Sequence, residues 1–354
     1  MQARALRRLG AGLALAAAAS TPVAAQQAEA VARFGAENAQ AELLIRGATD
    51  IAAFGPVLQA FVARTPELRV TLEAWNTNAL SEVAAAECRA GVASADLLFS
   101  SAADQIVRLV NDGCAQPHRS ALTAALPSEA NWRDEAFGVT EEPAVIIYNR
   151  DLLRPNEAPR SRFDLIDLLR SDDSRFTGRV ATYDIEASGI GYLFAFTDSQ
   201  QAATWGSLIE AFARSGAIAT CCAAEIIEGV AEGRYLIAYN VLGSYAVDHA
   251  ARDPRIAVVA PEDYTLVLRR AAMIPKDAAN PTAAGLLIDF LLSEPGRAAL
   301  AATHLLFPFG GDGLAADEDS VHRPIPLSPT LLLGLDRQKR AHFLARWRAT
   351  FAQP

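Results

Sequence analysis

The chain alternates short apolar runs with polar turns and helical repeats. Glu42 to Gly47 is an apolar strand ending in glycine. Ala48-Thr49-Asp50 then caps a helix whose apolar positions, Ile51, Phe54, Val57, Leu58 and Phe61, follow helical spacing. Leu68 to Trp75 alternates as a strand, and Asn76-Thr77-Asn78 opens a helix over Ala79 to Arg89. Asp96 to Phe99 is a third strand, and Ser100-Ser101 opens the helix Ala102 to Asn111, which Gly113 stops. Three strand–polar turn–helix units in succession predict a parallel α/β sheet. Ligands in such sheets lie beyond the carboxyl ends of the strands. Thr49, Asp50, Asn76, Thr77, Asn78, Ser100 and Ser101 are therefore candidates to line one wall of a cleft. Each is also a preferred helix cap, so it is the repetition at three successive turns that favours the cleft.

Glu141-Glu142-Pro143 followed by the apolar strand Ala144 to Tyr148 reads as a crossover into a second domain, and Glu142 joins the candidates. That domain carries a helix at Phe163 to Arg170, a strand at Arg179 to Tyr183, and helices up to Phe196, at Ala202 to Ser215 and at Glu225 to Glu232. Tyr235 to Tyr239 is a buried strand ending in Asn240, and Gly243-Ser244-Tyr245 turns into a helix. Tyr183 to Tyr192, with its Ser188-Gly189-Ile190-Gly191 turn, has the same form. Such strand–helix junctions present free backbone N–H groups beside amides and hydroxyls, which suits an anion. Ser188, Gly189, Gly191, Asn240, Ser244 and Tyr245 form the second wall of the expected site. Arg46, Arg269 and Arg270 are the arginines near strand ends that could clamp a phosphate or carboxylate. Ile256 to Val259 leads back to the first domain, Thr265 to Ile274 is one strand, and Pro281 to Leu292 and Pro295 to Thr303 are helices. A final amphipathic helix places Phe343, Leu344, Trp347 and Phe351 on one face. The organisation expected is 41–142 plus 262–354 for domain one and 143–261 for domain two.

Residues 1–25 change the compartment. Arg4, Arg7 and Arg8 precede the apolar run Ala11 to Ala19 and the small residues Val23-Ala24-Ala25, the pattern of a cleaved signal peptide. The run is too short for a membrane span. Residues 26–40 read as a loose, flexible segment. Losing the three leader arginines takes the formal charge from −9 to about −12, which argues against nucleic acid and anionic membrane surfaces as partners. Export permits disulfides. Cys88 and Cys114, at the ends of neighbouring helices, are either bridged or free, whereas adjacent Cys221 and Cys222 are expected to be free thiols. The five histidines are scattered and form no zinc spacing. No Gly-X-Ser-X-Gly elbow, Walker loop or His-Glu-X-X-His helix is present, so neither catalysis nor a cofactor is expected.

Ser100-Ser-Ala-Ala-Asp104, Leu109-Val-Asn-Asp-Gly113, Glu142-Pro-Ala-Val-Ile-Ile-Tyr-Asn149, Ser188-Gly-Ile-Gly-Tyr192, Tyr239-Asn-Val-Leu-Gly-Ser-Tyr245, Pro261-Glu-Asp-Tyr264 and Leu335-Asp-Arg-Gln-Lys-Arg340 occur in this order. In order and spacing the chain resembles the periplasmic solute-binding proteins of ABC importers. It is most similar to the branch holding ferric-iron and phosphoglycerate or sugar-phosphate binding proteins. The resemblance implies an α/β fold of two doubly wound lobes joined by two crossing strands, with ligand held between them. It also implies a monomer in the periplasm that meets a membrane permease, or a membrane sensor kinase. The ligand expected is a small phosphorylated or carboxylated organic anion. Iron-binding relatives carry two adjacent tyrosines at this junction. Here Ser244-Tyr245 stands instead, so an iron site would rest on Tyr245 and Tyr239, with Tyr192 and Glu142 as further donors.

Overall fold

The computed structural model describes residues 27–92, 95–171, 173–201, 203–307 and 320–351. The expected signal peptide lies outside the described residues. Residues 30–34, expected in a loose segment, instead form a strand, because their backbone pairs antiparallel with Leu68–Ala74.

The first part of the chain runs β1 (Ala30–Phe34), β2 (Ala41–Ala48), α1 (Ile51–Val62), β3 (Leu68–Ala74), α2 (Thr77–Ala90), β4 (Leu97–Ser100), α3 (Ala103–Asn111) and β5 (Ala136–Gly138). It continues with β6 (Glu142–Asn149), α4 (Arg162–Arg170), β7 (Val180–Tyr183), α5 (Gly189–Gln201), α6 (Trp205–Ser215), β8 (Ile218–Thr220), α7 (Ala223–Ala231), β9 (Ile237–Leu242), α8 (Gly243–Arg252), β10 (Ile256–Val259) and β11 (Thr265–Leu268). It ends with β12 (Ala271–Pro275), α9 (Pro281–Leu292), α10 (Glu294–Ala302), β13 (His322–Pro324), α11 (Leu332–Leu335) and α12 (Arg337–Phe351).

Two sheets result. The first has the order β1-β3-β2-β4-β12-β5, parallel at β3-β2-β4 and antiparallel at both flanks. Phe54, Val57, Leu58 and Phe61 of α1 share its core with Leu287, Ile288 and Leu291 of α9, which is the apolar face the helical spacing predicts. The second sheet has the order β8-β7-β9-β6-β11-β13, with β10 also on β6. All eight residues of β6 are buried, because its two faces pack into two different cores, Val145 and Ile147 in one and Ile146 and Tyr148 in the other.

The chain crosses between the sheets at two neighbouring segments, and it is back in the second sheet at β13. One crossing leads from β5 to β6 through Val139-Thr140-Glu141. The other is Arg269-Arg270, which breaks the expected single strand Thr265 to Ile274 into β11 and β12. Leu268 lies opposite Glu142 in register, so the crossings run side by side.

Three other expectations are corrected. The C-terminal helix is expected in domain one, yet Leu344 and Trp347 of α12 pack with Ile185, Tyr192 and Ala195 of the second lobe. Residues 265–268 and 322–324 likewise pair in the second sheet. Amphipathicity announces a buried face but not which lobe covers it. Finally, Cys221 and Cys222, expected free, are joined as a disulfide. Cys88 and Cys114 are also joined, with Cα atoms 5.4 Å apart, because α2 and α3 lie side by side.

Candidate functional site

The helices that follow the strands start where polar side chains take over from the sheet. Asn76 accepts hydrogen bonds from the N–H groups of Asn78 at 2.9 Å and Ala79 at 3.4 Å, which fixes the start of α2. Ser188 accepts from the Gly191 N–H at 3.2 Å and starts α5 the same way. Ser100 accepts from the Ala102 N–H at 3.1 Å before α3. The turns at Asp50, Asn76, Ser188, Cys222 and Leu242, each preceding a helix, all border one cavity of ≈ 180 Å³ between the lobes. Thr49, Asp50, Asn76, Thr77 and Ser101 line it from the first lobe, and Ser188 and Tyr245 from the second.

The lobes meet across this cavity. Gly189 N–H donates to Thr77 Oγ1 at 2.8 Å, and Asp50 N–H donates to the Tyr245 hydroxyl at 3.2 Å. Asn78 Nδ2 donates to the carbonyls of Glu186 and Ala187 at 3.0 and 3.1 Å. Gly189 permits this approach: a Cβ there would lie 2.9 Å from Thr77 Oγ1 and 3.1 Å from Ala102 Cβ. Gly191 serves packing within its own lobe, since a Cβ would lie 2.4 Å from Tyr183 Cβ.

Arg270 is the buried cation of the site. It is fully buried, and its guanidinium donates to Glu142 Oε1 and Oε2 at 2.8 and 3.1 Å, to the Ala48 carbonyl at 2.9 Å and to Thr49 Oγ1 at 2.7 Å. Burial pulls its pKa down, but Glu142 outweighs this and holds it above the ordinary arginine value. Glu142 also accepts from Ser244 Oγ at 2.5 Å and Thr140 Oγ1 at 2.9 Å. The two crossings are thereby tied at the hinge, with Arg270 facing the cavity. Glu142 and Ser244, expected at the ligand, are instead spent on this ion pair and do not line the cavity. Ser100 is a cap and Asn78 a cross-lobe bond, so they too lie off its wall.

Asn240 and Tyr239 depart furthest from expectation. Strand β9 does not end at Asn240. It continues to Leu242 through a bulge, with Asn240 at φ 59°. The Asn240 amide donates to Asp198 Oδ2 at 2.7 Å, inside the second lobe. Tyr239 and Tyr264 donate their hydroxyls to the same carboxylate at 2.6 and 2.8 Å, and buried Arg162 pairs with it at 3.1 Å. This cluster holds the lobe together and leaves Tyr239 unavailable to the cleft. Burial pushes the Tyr239 and Tyr245 phenols above their ordinary pKa, which keeps both protonated. Tyr192 donates to the Gly334 carbonyl at 2.5 Å. Arg46 pairs with Glu73 and Glu87, both at 2.8 Å, and Arg269 with Glu141 at 3.0 Å.

The cavity also has walls that the pattern reading did not reach. Glu29, Trp75, Ala48 and Ala74 line it from the first lobe, and Tyr183, Ile190, Cys221, Cys222, Ala223, Ala224 and Leu242 from the second. The signal for the cysteine turn was present, because it follows β8 just as the named turns follow their strands. Among the described residues, the one set of three cysteine, histidine or acidic groups within metal-sharing distance is Cys221, Cys222 and Glu225, and the disulfide leaves it no thiolate to offer a metal.

Two lobes, a pair of side-by-side crossings and a polar cavity at the strand ends suit a protein that holds a small solute between its lobes. Residues 93–329 match the model of the bacterial extracellular solute-binding protein family, and the chain belongs to that family. The structure is similar to the substrate-binding protein of an ABC transporter from Agrobacterium tumefaciens, at 34% identity and a TM-score of 0.84, over 92% of this chain and 99% of that one. It shares its fold with AfuA from Actinobacillus pleuropneumoniae, solved with fructose 6-phosphate (15% identity, TM-score 0.68, 89% and 100% covered). The same holds for iron-bound HitA from Pseudomonas aeruginosa (17%, 0.66, 88% and 99%). No curated protein sequence matches the chain significantly. No helix among the described residues is long and apolar enough to cross a membrane.

Proposed function

We propose that this protein is exported to the periplasm, where it captures a small organic anion, phosphorylated or carboxylated, between its lobes and delivers it to the permease of an ABC importer. The observation that carries this reading is the convergence of helix N-termini, hydroxyls and Arg270 on one cavity. Each helix start contributes roughly half a positive charge and free N–H donors. Several of those donors are already used: Asn76 and Ser188 cap their own helices, and Thr77 takes the Gly189 N–H. The starts of α1, α7 and α8 lack a side-chain cap. They are the ends best suited to an incoming oxygen, together with the Thr49, Thr77 and Ser101 hydroxyls. The apolar surface of Trp75, Ile190 and Leu242 suits a carbon body. A ferric site is less well supported, because Tyr239 is engaged with Asp198 and Tyr183, at the cavity beside Tyr245, already accepts the Leu242 N–H.

Thermal melting with fructose 6-phosphate, 3-phosphoglycerate, citrate and ferric chloride tests the reading. A compound present at about a hundred times its Kd stabilises the fold by about 2.7 kcal/mol. An organic anion is expected to raise the Tm. A rise with ferric chloride alone, or with none of the four, refutes the proposal.

A further inference from the structure

The Cys221–Cys222 disulfide occupies the turn between β8 and α7, and both residues line the interlobe cavity. The position before a helix usually carries serine, threonine, aspartate or asparagine, whose oxygen caps the first turn. Cys222 holds that position with φ −142° and makes no such bond. The pair therefore does nothing for the helix that a common residue would not do better. Its neighbour Glu225 is engaged by the Thr220 hydroxyl, and the same carboxylate oxygen lies 3.4 Å from the Cys221 sulfur. Trp75, Ala48 and Ala74 line the same cavity from the other lobe. Disulfide sulfurs are polarisable, offer no hydrogen-bond donor and pack well on carbon. Joining neighbouring residues also removes the side-chain freedom that two thiols would lose on closure.

We propose that the Cys221–Cys222 disulfide is a ligand-contacting, specificity-determining element. It forms a rigid apolar wall that packs on the carbon body of the organic anion, opposite Trp75. The proposal rests on the anion reading and adds the part of the ligand that sulfur recognises.

The test uses the exported full-length protein. A non-reducing digest with mass spectrometry first reads the state of the pair, and the vicinal disulfide is expected. Free thiols in the exported protein overturn the proposal. The compound among fructose 6-phosphate, 3-phosphoglycerate and citrate that raises the Tm is then titrated by calorimetry, with inorganic phosphate alongside it. The double variant C221A/C222A is expected to bind the organic compound about tenfold more weakly, the scale of a lost small apolar contact. Its affinity for inorganic phosphate, which has no carbon body, should stay within about twofold. Reducing the C88A/C114A variant, where the vicinal pair is the remaining disulfide, should weaken the organic compound in the same way. Equal affinity of C221A/C222A and wild type for the organic compound overturns the proposal while leaving the anion reading intact. An equal loss for inorganic phosphate also overturns it, by showing that the turn acts on the anion and not on carbon. If none of the three compounds binds, the anion reading fails and this inference falls with it.

Discussion

The substitution Gly189→Ala separates binding from folding more sharply than any other change in the cleft. The three atoms nearest a Cβ at this position are Gln105 Nε2 at 2.6 Å, Thr77 Oγ1 at 2.9 Å and Ala102 Cβ at 3.1 Å, and all belong to the first lobe. The backbone of Gly189 is helical, so alanine brings no conformational strain. With the lobes apart the methyl has no first-lobe neighbour to meet. With the lobes together, Gln105 can swing aside, but it then gives up its 2.8 Å bond to Asn78 Oδ1. Ala102 Cβ is fixed to the backbone and cannot yield. Overpacking of this kind costs about 1–3 kcal/mol. The Gly189–Thr77 hydrogen bond adds about 1 kcal/mol if the lobes stop short.

Closure is therefore penalised by about 2–4 kcal/mol, which weakens binding by roughly 30- to 1,000-fold. Calorimetric titration with the compound that raises the wild-type Tm reads the affinity. Small-angle scattering reads whether that compound still compacts the molecule. The Tm of unliganded G189A should stay near wild type. Wild-type affinity with wild-type compaction would refute the closure argument. A lower unliganded Tm would refute it differently, by placing the damage inside the second lobe. Gly191→Ala supplies the contrast. Its Cβ meets Tyr183 within that lobe at 2.4 Å, so it should lower the unliganded Tm.

The hinge pair, the first-lobe helix and the disulfide give three further tests. Glu142→Gln leaves Arg270 buried without its counter-charge, with both side chains at 0% exposure. It should cost about 3–5 kcal/mol in denaturant unfolding, and a loss below about 1 kcal/mol would contradict the ion-pair account. Asp104 is buried at the start of α3, one of its oxygens has no partner, and burial raises its pKa to about 7. The folded chain then keeps a proton that the unfolded chain releases near pH 4, so stability falls as pH rises from about 4 to 7, by at most about 1.4 kcal/mol per unit. D104N should lose that slope and gain on wild type between pH 5 and pH 8; parallel melting curves would disprove it. Removing the Cys88–Cys114 bridge, which spans 26 residues, should cost about 3 kcal/mol, and an unchanged unfolding midpoint would contradict this.

Much of this architecture was legible because the strand–turn–helix units announce themselves locally. Alternating apolar residues, a polar cap and a helical repeat each depend on neighbours within a few positions. Thr49, Asp50, Asn76, Thr77 and Ser101 reach the cavity because the carboxyl-end rule needs only the order of elements. Glu142, Asn240, Ser244 and Tyr239 were misplaced because their partners are distant in sequence. Asp198 lies 42 residues from Asn240, and Arg270 lies 128 residues from Glu142. Spacing within one element cannot foretell such pairings. The docking of α12 was illegible for a related reason, since an amphipathic face carries no address.

The bulge in β9 shows how a local detail redirects the site. A regular strand ending at Asn240 would set an amide and the helix start together in the cleft. The residue with φ 59° adds one position to the strand, moves the junction to Leu242–Gly243 and turns the Asn240 amide toward Asp198. Gly243 then sits against Pro143, where a Cβ would lie 2.7 Å from its ring, and Ser244 reaches Glu142. Of this stretch, Leu242 and Tyr245 alone face the cavity. The second wall consequently depends less on the glycine-rich turn and more on Tyr245, Ile190 and the cysteine turn. That wall offers carbon and sulfur beside the Tyr183 and Tyr245 hydroxyls. Its carbon and sulfur are what the proposed organic ligand would use, and its oxygen groups are what a metal ion would use, so the Tm comparison between the organic anions and ferric chloride decides between them.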